Sequence, residues 1–314
     1  MNKLTINDIA RLCGVGKSTV SRVLNNDANV SPQTKEKVLS VIQQYRFQPS
    51  RSARAMRKRE SKVIGIIVTR LDSPAENRVL RGMLNELQAQ GYEHIVSESR
   101  FDVALVQEHL QSFHQRHIDG VVVFAFTGLE QRILEPYRHK LVAIARHYPN
   151  LASVYYDDRG AVNLLLERLY QQRHRDISYV GIVAEDYTTG HLRHQAYLDF
   201  CRRYQLESHA YLGELDYLTG YTFAPSALQP QTTAIVCATD SLAFGVHKYL
   251  SEQQRQDIQV CSVGDNKLLQ FLFPNTLTIN FGFFRAGQSA VRLLLNVLAS
   301  PDQIDHHCIH GEFV

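Results

Sequence analysis

The chain has 314 residues, of which 44% are hydrophobic and 21% charged, and it carries no low-complexity run; this fits a globular protein with more than one core and excludes a fibrous or disordered one. No apolar stretch reaches membrane-spanning length, and Met1-Asn2-Lys3-Leu4-Thr5 lacks the apolar core of a secretory signal, so a cytoplasmic protein without membrane association is expected. The net charge of +3 hides a division: residues 1–60 hold 12 Lys plus Arg against 4 Asp plus Glu, while the remainder is acidic, which points to a polyanionic partner for the head alone.

Thr5-Ile6-Asn7-Asp8 has the form of a capping box, and Ile6, Ile9, Ala10 and Cys13 follow at helical spacing, so a first helix is expected from Ile6 to Cys13. Gly14-Val15-Gly16 breaks it, and a second helix over Ser18–Leu24 begins after a tight turn, the spacing of a helix-turn-helix. Val20, Val23 and Leu24 form its inward stripe. Lys17, Ser18, Ser21 and Arg22 are expected on the opposite face, a set of hydroxyls and cations suited to a major groove. Ser31 as cap, Pro32 at the first helical position and Val38, Val41, Ile42 and Tyr45 signal a third helix. Gly16-Lys17-Ser18 imitates a phosphate-binding loop, but the glycine that loop needs five residues earlier is Arg11, inside a helix, so nucleotide binding there is rejected.

Thr5-Ile6-Asn7-Asp8-Ile9-Ala10, Gly14-Val15, Ser18–Asn25 and Val30-Ser31 together closely resemble the headpiece of the lactose/galactose repressor (LacI/GalR) family. The resemblance implies that Lys17, Ser18 and Arg22 read bases, with Thr5, Thr19, Ser21, Asn25 and Ser31 as further DNA contacts. It also implies that Ser50–Arg57 is a hinge helix entering the minor groove, through Arg51, Ala53 and Met56, with Met56 standing where the family usually inserts a leucine wedge. So short a segment is not a stable helix alone, which suits an element ordered only in a homodimer on DNA. The division expected is a headpiece over residues 1–48, a hinge and linker over 49–61, and a bilobed effector-binding and dimerisation domain over 62–314.

From Lys62 onward apolar runs alternate with amphipathic helices: Val63–Val68, a helix near Glu76–Gln90, Gly120–Phe124 and Leu141–Ala145. A second series follows Tyr156: a helix to about Gln172, Ile177–Gly181, a helix near Arg193–Tyr204, Ala234–Ala238, a helix from Ser241, and Val260–Gly264. Leu277–Asn280 and a helix over Ala286–Leu298 come last. The pattern is an α/β body of two parallel sheets, similar to periplasmic sugar-binding proteins, with the late strand and helix assigned to the first lobe and a short C-terminal return. Ligands of such sheets lie beyond the carboxyl ends of strands. Arg70, Phe126, Arg146 and Asp240 follow strand ends, and Thr188-Thr189-Gly190 leads into a helix bearing Arg193. Free amides and arginines converging beside Asp240 suit a phosphorylated sugar.

Over most of the body, residues including Ile67–Ser73, Glu76-Asn77, Tyr156-Asp157-Asp158, Arg193-His194 and Cys237–Asp240 are similar to the trehalose-responsive members of the same family. That resemblance implies trehalose 6-phosphate as inducer, release from a palindromic operator, and control of trehalose uptake and breakdown genes. Phosphate is then expected at Arg70, Arg193 and the Thr188–Gly190 helix entrance, with sugar hydroxyls at Arg146, Asp240, Glu76 and Asn280. Two departures bear on the hydroxyl contacts: His147-Tyr148-Pro149 follows Arg146 where those members have an acidic residue, and Asn280 replaces a carboxylate.

The five scattered cysteines form no C-x-x-C pair and read as free thiols in apolar surroundings. His114/His117 and His191/His194 are spaced i, i+3 without an evident third ligand, so no metal and no cofactor is expected. An enzyme would need a catalytic motif, and neither G-x-S-x-G nor H-E-x-x-H occurs; a purely architectural DNA binder would not need so large a body.

Overall fold

A computed structural model describes residues 4–24, 27, 29–45, 47 and 61–314. The chain divides into two compact units, Met1–Ser61 and Lys62–Val314.

In the first unit α1 (Ile6–Cys13) is closed by a complete capping box: the Asp8 N–H donates to Thr5 Oγ1, and the Thr5 N–H donates to the Asp8 carboxylate at 2.8 Å. Gly14 ends it, and α2 (Lys17–Leu24) follows after two more residues. In α3 (Pro32–Gln44) Ser31 caps the helix by accepting from the Thr34 N–H, and Pro32 occupies a first-turn position where its missing N–H costs nothing. Ile9, Cys13, Val20, Val23, Val38 and Phe47 form the core. Ser21 differs from expectation. It is only 8% exposed, because its short side chain falls beside Val20 at the edge of the buried stripe rather than with Lys17, Ser18 and Arg22 on the outer face.

The second unit holds two six-stranded sheets. The first contains β1 (Val63–Val68), β2 (Glu93–Glu98), β3 (Gly120–Phe124), β4 (Leu141–Ala145), β5 (Ser153–Tyr156) and β11 (His306–Ile309), all parallel, in the order β11-β5-β4-β3-β1-β2. The second contains β6 (Ile177–Ile182), β7 (His209–Gly213), β8 (Ala234–Cys237), β9 (Gln259–Val263), β10 (Leu277–Asn280) and β12 (Glu312–Phe313), ordered β12-β10-β9-β8-β6-β7, with only β12 antiparallel. Central strands such as β1 and β3 are continuous apolar runs because helices cover both of their faces.

The chain crosses between the lobes three times, after Tyr156, after Asn280 and between Ile309 and Glu312. This corrects the expected place of the late strand. β10 pairs with β9 in the second sheet, and only the following helix, Phe283–Ala299, packs on the first lobe, against the helix Pro74–Ala89. The crossing falls after the strand, at Gly282, whose φ is 65°. The two helices meet very closely: a Cβ on Gly287 would stand 2.0 Å from the Val79 carbonyl oxygen, so only glycine fits. No helix among the described residues is long and apolar enough to cross a membrane.

Candidate functional site

The carboxyl ends of the parallel strands of both sheets face a cavity of about 200 Å³ between the lobes. Its walls are mainly apolar and aromatic, with Phe101, Phe124, Phe126, Tyr156 and Phe283 among them. Of the expected ligand residues, Arg70, Glu76, Phe126, Thr188, Thr189, Arg193 and Asp240 line it; Arg146, Gly190 and Asn280 do not.

Glu76 lies in the first turn of the helix Pro74–Ala89, where Ser73 caps by accepting from its N–H. Its carboxylate accepts from the Thr69 N–H at 2.8 Å and from the Thr69 hydroxyl, which fixes the end of β1. Burial pushes this carboxyl up, and the Thr69 bonds offset only part of the shift. Arg70 extends over the Phe101 ring, 5.9 Å from its centroid. Its Nε is buried with no hydrogen-bond partner, and Asp72 Oδ1 stands 3.7 Å from it. Phe101 and Ala145, which line the cavity, and Arg100 beside Phe101 in the chain have left-handed φ angles of 59°, 75° and 52°, a conformation that non-glycine residues adopt at a cost and that recurs at binding sites. Phe101 packs edge-on against Phe126 at 5.7 Å.

On the second lobe, Arg193 is 4% exposed and held on two sides. Nε donates to Asp158 Oδ1 at 2.7 Å, and Nη1 donates to the Ala238 carbonyl. Asp158, 2% exposed, was not foreseen; burial pushes its carboxyl up, and the guanidinium beside it offsets this only in part. Asp240 opens the helix Asp240–Glu252, accepting from Ser262 Oγ at 2.6 Å and from the Asn266 N–H at 2.8 Å.

The helix entrance at Thr188–Gly190 differs from the free anion cradle expected there. Asp186 Oδ1 already takes the N–H groups of Thr189 and Gly190, at 2.8 and 3.1 Å, along with the Thr189 hydroxyl. A carboxylate occupies the place an incoming phosphate would need. Gly190 is required for packing, since a Cβ there would stand 2.1 Å from the Val183 carbonyl oxygen. Arg146 lies behind the wall, its guanidinium between the rings of Tyr148 and Tyr187 and donating to the Phe126 carbonyl at 3.3 Å. His147 turns toward Tyr155 and His306, while Tyr148 is buried. Asn280 accepts from the Gly282 N–H, shaping the crossover.

Sequence reasoning also missed Tyr156, which packs on Phe281 and Phe283, and an ion pair between Arg78 and Asp265. Among the described residues no three His, Cys, Asp or Glu side chains gather to hold a metal ion, and His114, His191 and His194 each pack against a tyrosine. Cys13, Cys201, Cys237 and Cys261 are buried free thiols, and Cys308 is partly exposed.

In the headpiece, Lys17, Ser18 and Arg22 are exposed together on α2, with Arg22 Nε 4.0 Å from Asp27. Thr19 is half-buried, and Thr5 and Ser31 are exposed caps. Asn25, Arg51, Ala53 and Met56 lie outside the described residues.

Residues 5–50 match the family model described as bacterial regulatory proteins, lacI family, and residues 166–311 match that of a periplasmic binding protein-like domain. The HTH-type transcriptional regulator TreR of Salmonella typhimurium is 49% identical over 307 residues, 98% of this chain and 96% of that protein. Among solved structures, the trehalose repressor from Escherichia coli aligns with a TM-score of 0.78 at 42% identity, covering 80% of this chain and 99% of its own. The lac repressor dimer bound to operator and an anti-inducer aligns with a TM-score of 0.88 at 20% identity, over 100% of this chain and 98% of its own; at that identity the likeness is one of fold.

Proposed function

The chain belongs to the lacI family of bacterial regulatory proteins, and on that premise we propose that it is a cytoplasmic repressor that holds a palindromic operator as a homodimer and releases it when trehalose 6-phosphate enters the cleft of its body. Its relatives are transcriptional regulators rather than enzymes. Genes for trehalose uptake and breakdown are the proposed targets, a reading supported by the two regulators named for trehalose that align over most of this chain.

The observation that carries the ligand assignment is Arg70. The other cavity arginines, Arg78 and Arg193, are hydrogen-bonded to carboxylates, whereas the Arg70 Nε, 3.7 Å from the exposed carboxylate of Asp72, is buried without a hydrogen-bond partner beside an apolar wall. An unpaired buried donor costs free energy that an anionic group on the ligand recovers. Arg193, neutralised by Asp158, acts as a donor to sugar hydroxyls. Asp240 and Glu76 accept from them, Phe126, Thr188 and Thr189 complete the wall, and Arg146, Gly190 and Asn280 position the segments behind it. Phosphate therefore goes to the Arg70 side of the cleft rather than to the helix entrance that Asp186 fills.

For DNA, Lys17, Ser18 and Arg22 enter the major groove with Thr5, Thr19, Asn25 and Ser31 as supporting contacts, while the buried Ser21 takes no part, and the hinge around residues 49–61 brings Arg51, Ala53 and Met56 to the minor groove. Dimerisation is supported by an exposed apolar cluster in the body, where Leu268, Phe271 and Leu272 are 56%, 81% and 51% exposed. Calorimetry with trehalose 6-phosphate and free trehalose, on wild type and Arg70→Gln, tests the ligand assignment. Wild type should prefer the phosphate at least about tenfold, or 1.4 kcal/mol, and the variant should lose that preference while keeping its affinity for trehalose. Equal affinity of wild type for both sugars, or much tighter binding of an unrelated sugar, defeats the ligand assignment and leaves the repressor reading standing.

A further inference from the structure

Arg78 and Asp265 are 187 positions apart in the chain and belong to different lobes, yet they form an ion pair whose two ends both line the cavity. Arg78 projects from the first-lobe helix Pro74–Ala89, and Asp265 follows β9 in the second lobe. Besides this pair, the lobes are tied on the cavity side by the Tyr187 N–H donating to Thr127 Oγ1 at 2.8 Å and by Arg146 lying over the Tyr187 ring.

The pair differs in kind from Arg193–Asp158. That pair is sealed, with exposures of 5% and 2%, and Arg193 spends a further donor on a carbonyl. Arg78 and Asp265 are 29% and 14% exposed, and Asp265 is the only hydrogen-bond partner of Arg78 among the described residues. A guanidinium carries five N–H donors, so most of its capacity remains open toward the cavity. A carboxylate carries one negative charge and a phosphate monoester nearly two, with three acceptor oxygens. Whatever anion enters this cavity competes with Asp265 for Arg78.

Building on the phosphorylated-ligand reading, we infer that Arg78 is a second anion-binding residue of the cleft and that Asp265 occupies it as an internal surrogate until the ligand displaces it. Displacement removes the ionic tie between the lobes at the cavity at the same moment the anion is captured, so binding and the loss of that tie are one event. Asp265 thereby lowers affinity for the anionic ligand more than for its neutral counterpart.

Calorimetry on the full chain uses wild type, Asp265→Asn, Arg78→Gln and the double variant, each confirmed as folded by its melting curve, with trehalose 6-phosphate, trehalose and inorganic phosphate as probes. Asp265→Asn should bind trehalose 6-phosphate about fivefold to tenfold more tightly, with a smaller change in trehalose affinity, and the gain should vanish in the Arg78→Gln background. No gain, or a gain that persists without Arg78, overturns the inference. If wild type binds neither sugar, the phosphorylated-sugar reading fails by itself. Inorganic phosphate then decides the inference: tighter binding by Asp265→Asn, dependent on Arg78, sustains it, and equal binding by both proteins sinks it.

Discussion

Replacing Arg193 with methionine keeps most of the side-chain volume and removes the charge, leaving Asp158 as a carboxylate only 2% exposed whose side-chain hydrogen bonds, among the described residues, came from Arg193. Breaking one side of so buried a pair costs about 3–5 kcal/mol, and at about 2–4 °C per kcal/mol for a domain of this size the melting temperature should fall by about 6–20 °C. The deficit should depend on pH. Burial already pushes the Asp158 carboxyl above its ordinary value of 3.8, and the guanidinium is what holds it down. Without Arg193 the folded-state value rises further. A raised carboxyl value means that the stability of the neutral form is fully present below the unfolded value and is lost as pH rises through the folded one. Urea denaturation of variant and wild type should therefore show a smaller difference near about pH 5 than near about pH 8. Adding Asp158→Asn should recover a large part of the loss, because two neutral side chains of similar size replace an isolated charge. Equal stability of wild type and Arg193→Met at both pH values would refute the buried-pair reasoning, and with it the assignment of Arg193 as a neutralised donor.

On DNA, Arg22→Ala should reduce discrimination between operator and random sequence by about 1–3 kcal/mol in a competition binding assay, whereas equal loss on both DNAs would contradict base reading. Non-specific affinity should fall steeply with salt, and residues 62–314 alone should retain almost none of it in the same titration. Gly287→Ala should lower thermal stability by about 1–3 kcal/mol, since the new methyl would press on the backbone of the helix Pro74–Ala89; an unchanged melting temperature would show that the two helices part freely.

The headpiece was legible because its signals are local. A capping box, a glycine turn and a Ser-Pro helix start each act within four residues; α1 begins and ends, and α3 begins, where those signals fall, and α2 starts at Lys17, one residue before the expected Ser18. Central strands were legible as apolar runs. β2 and β7 were not, because they are sheet edges with half-exposed, polar residues such as Glu93-His94 and His209, and no alternation survives there. The misplaced β10 shows a different limit: periodicity identifies a strand without saying on which side of a crossover it pairs. Within the cleft, strand ends led to Arg70 and Asp240 and the helix entrance to Arg193, all of which line the cavity, but Asp158, which pairs with Arg193, and Asp186, which fills the Thr189–Gly190 entrance, are brought there only by the folded chain. Arg78 and Asp265 carry no sequence signal at all, since a contact spanning 187 positions is a property of topology.

The threefold crossing between lobes also sets an order of events during synthesis. β11, which completes the first sheet, pairs Ser153 with His306, and the helix Phe283–Ala299, which covers part of that lobe, is made only after most of the second lobe. At about 5–20 residues per second, the stretch from residue 157 to residue 282 takes about 6–25 s to emerge. Through that interval Val79 and Met83, buried against the later helix in the finished protein, lack that cover, and the nascent first lobe presents apolar surface of the kind that favours aggregation before a cleft exists.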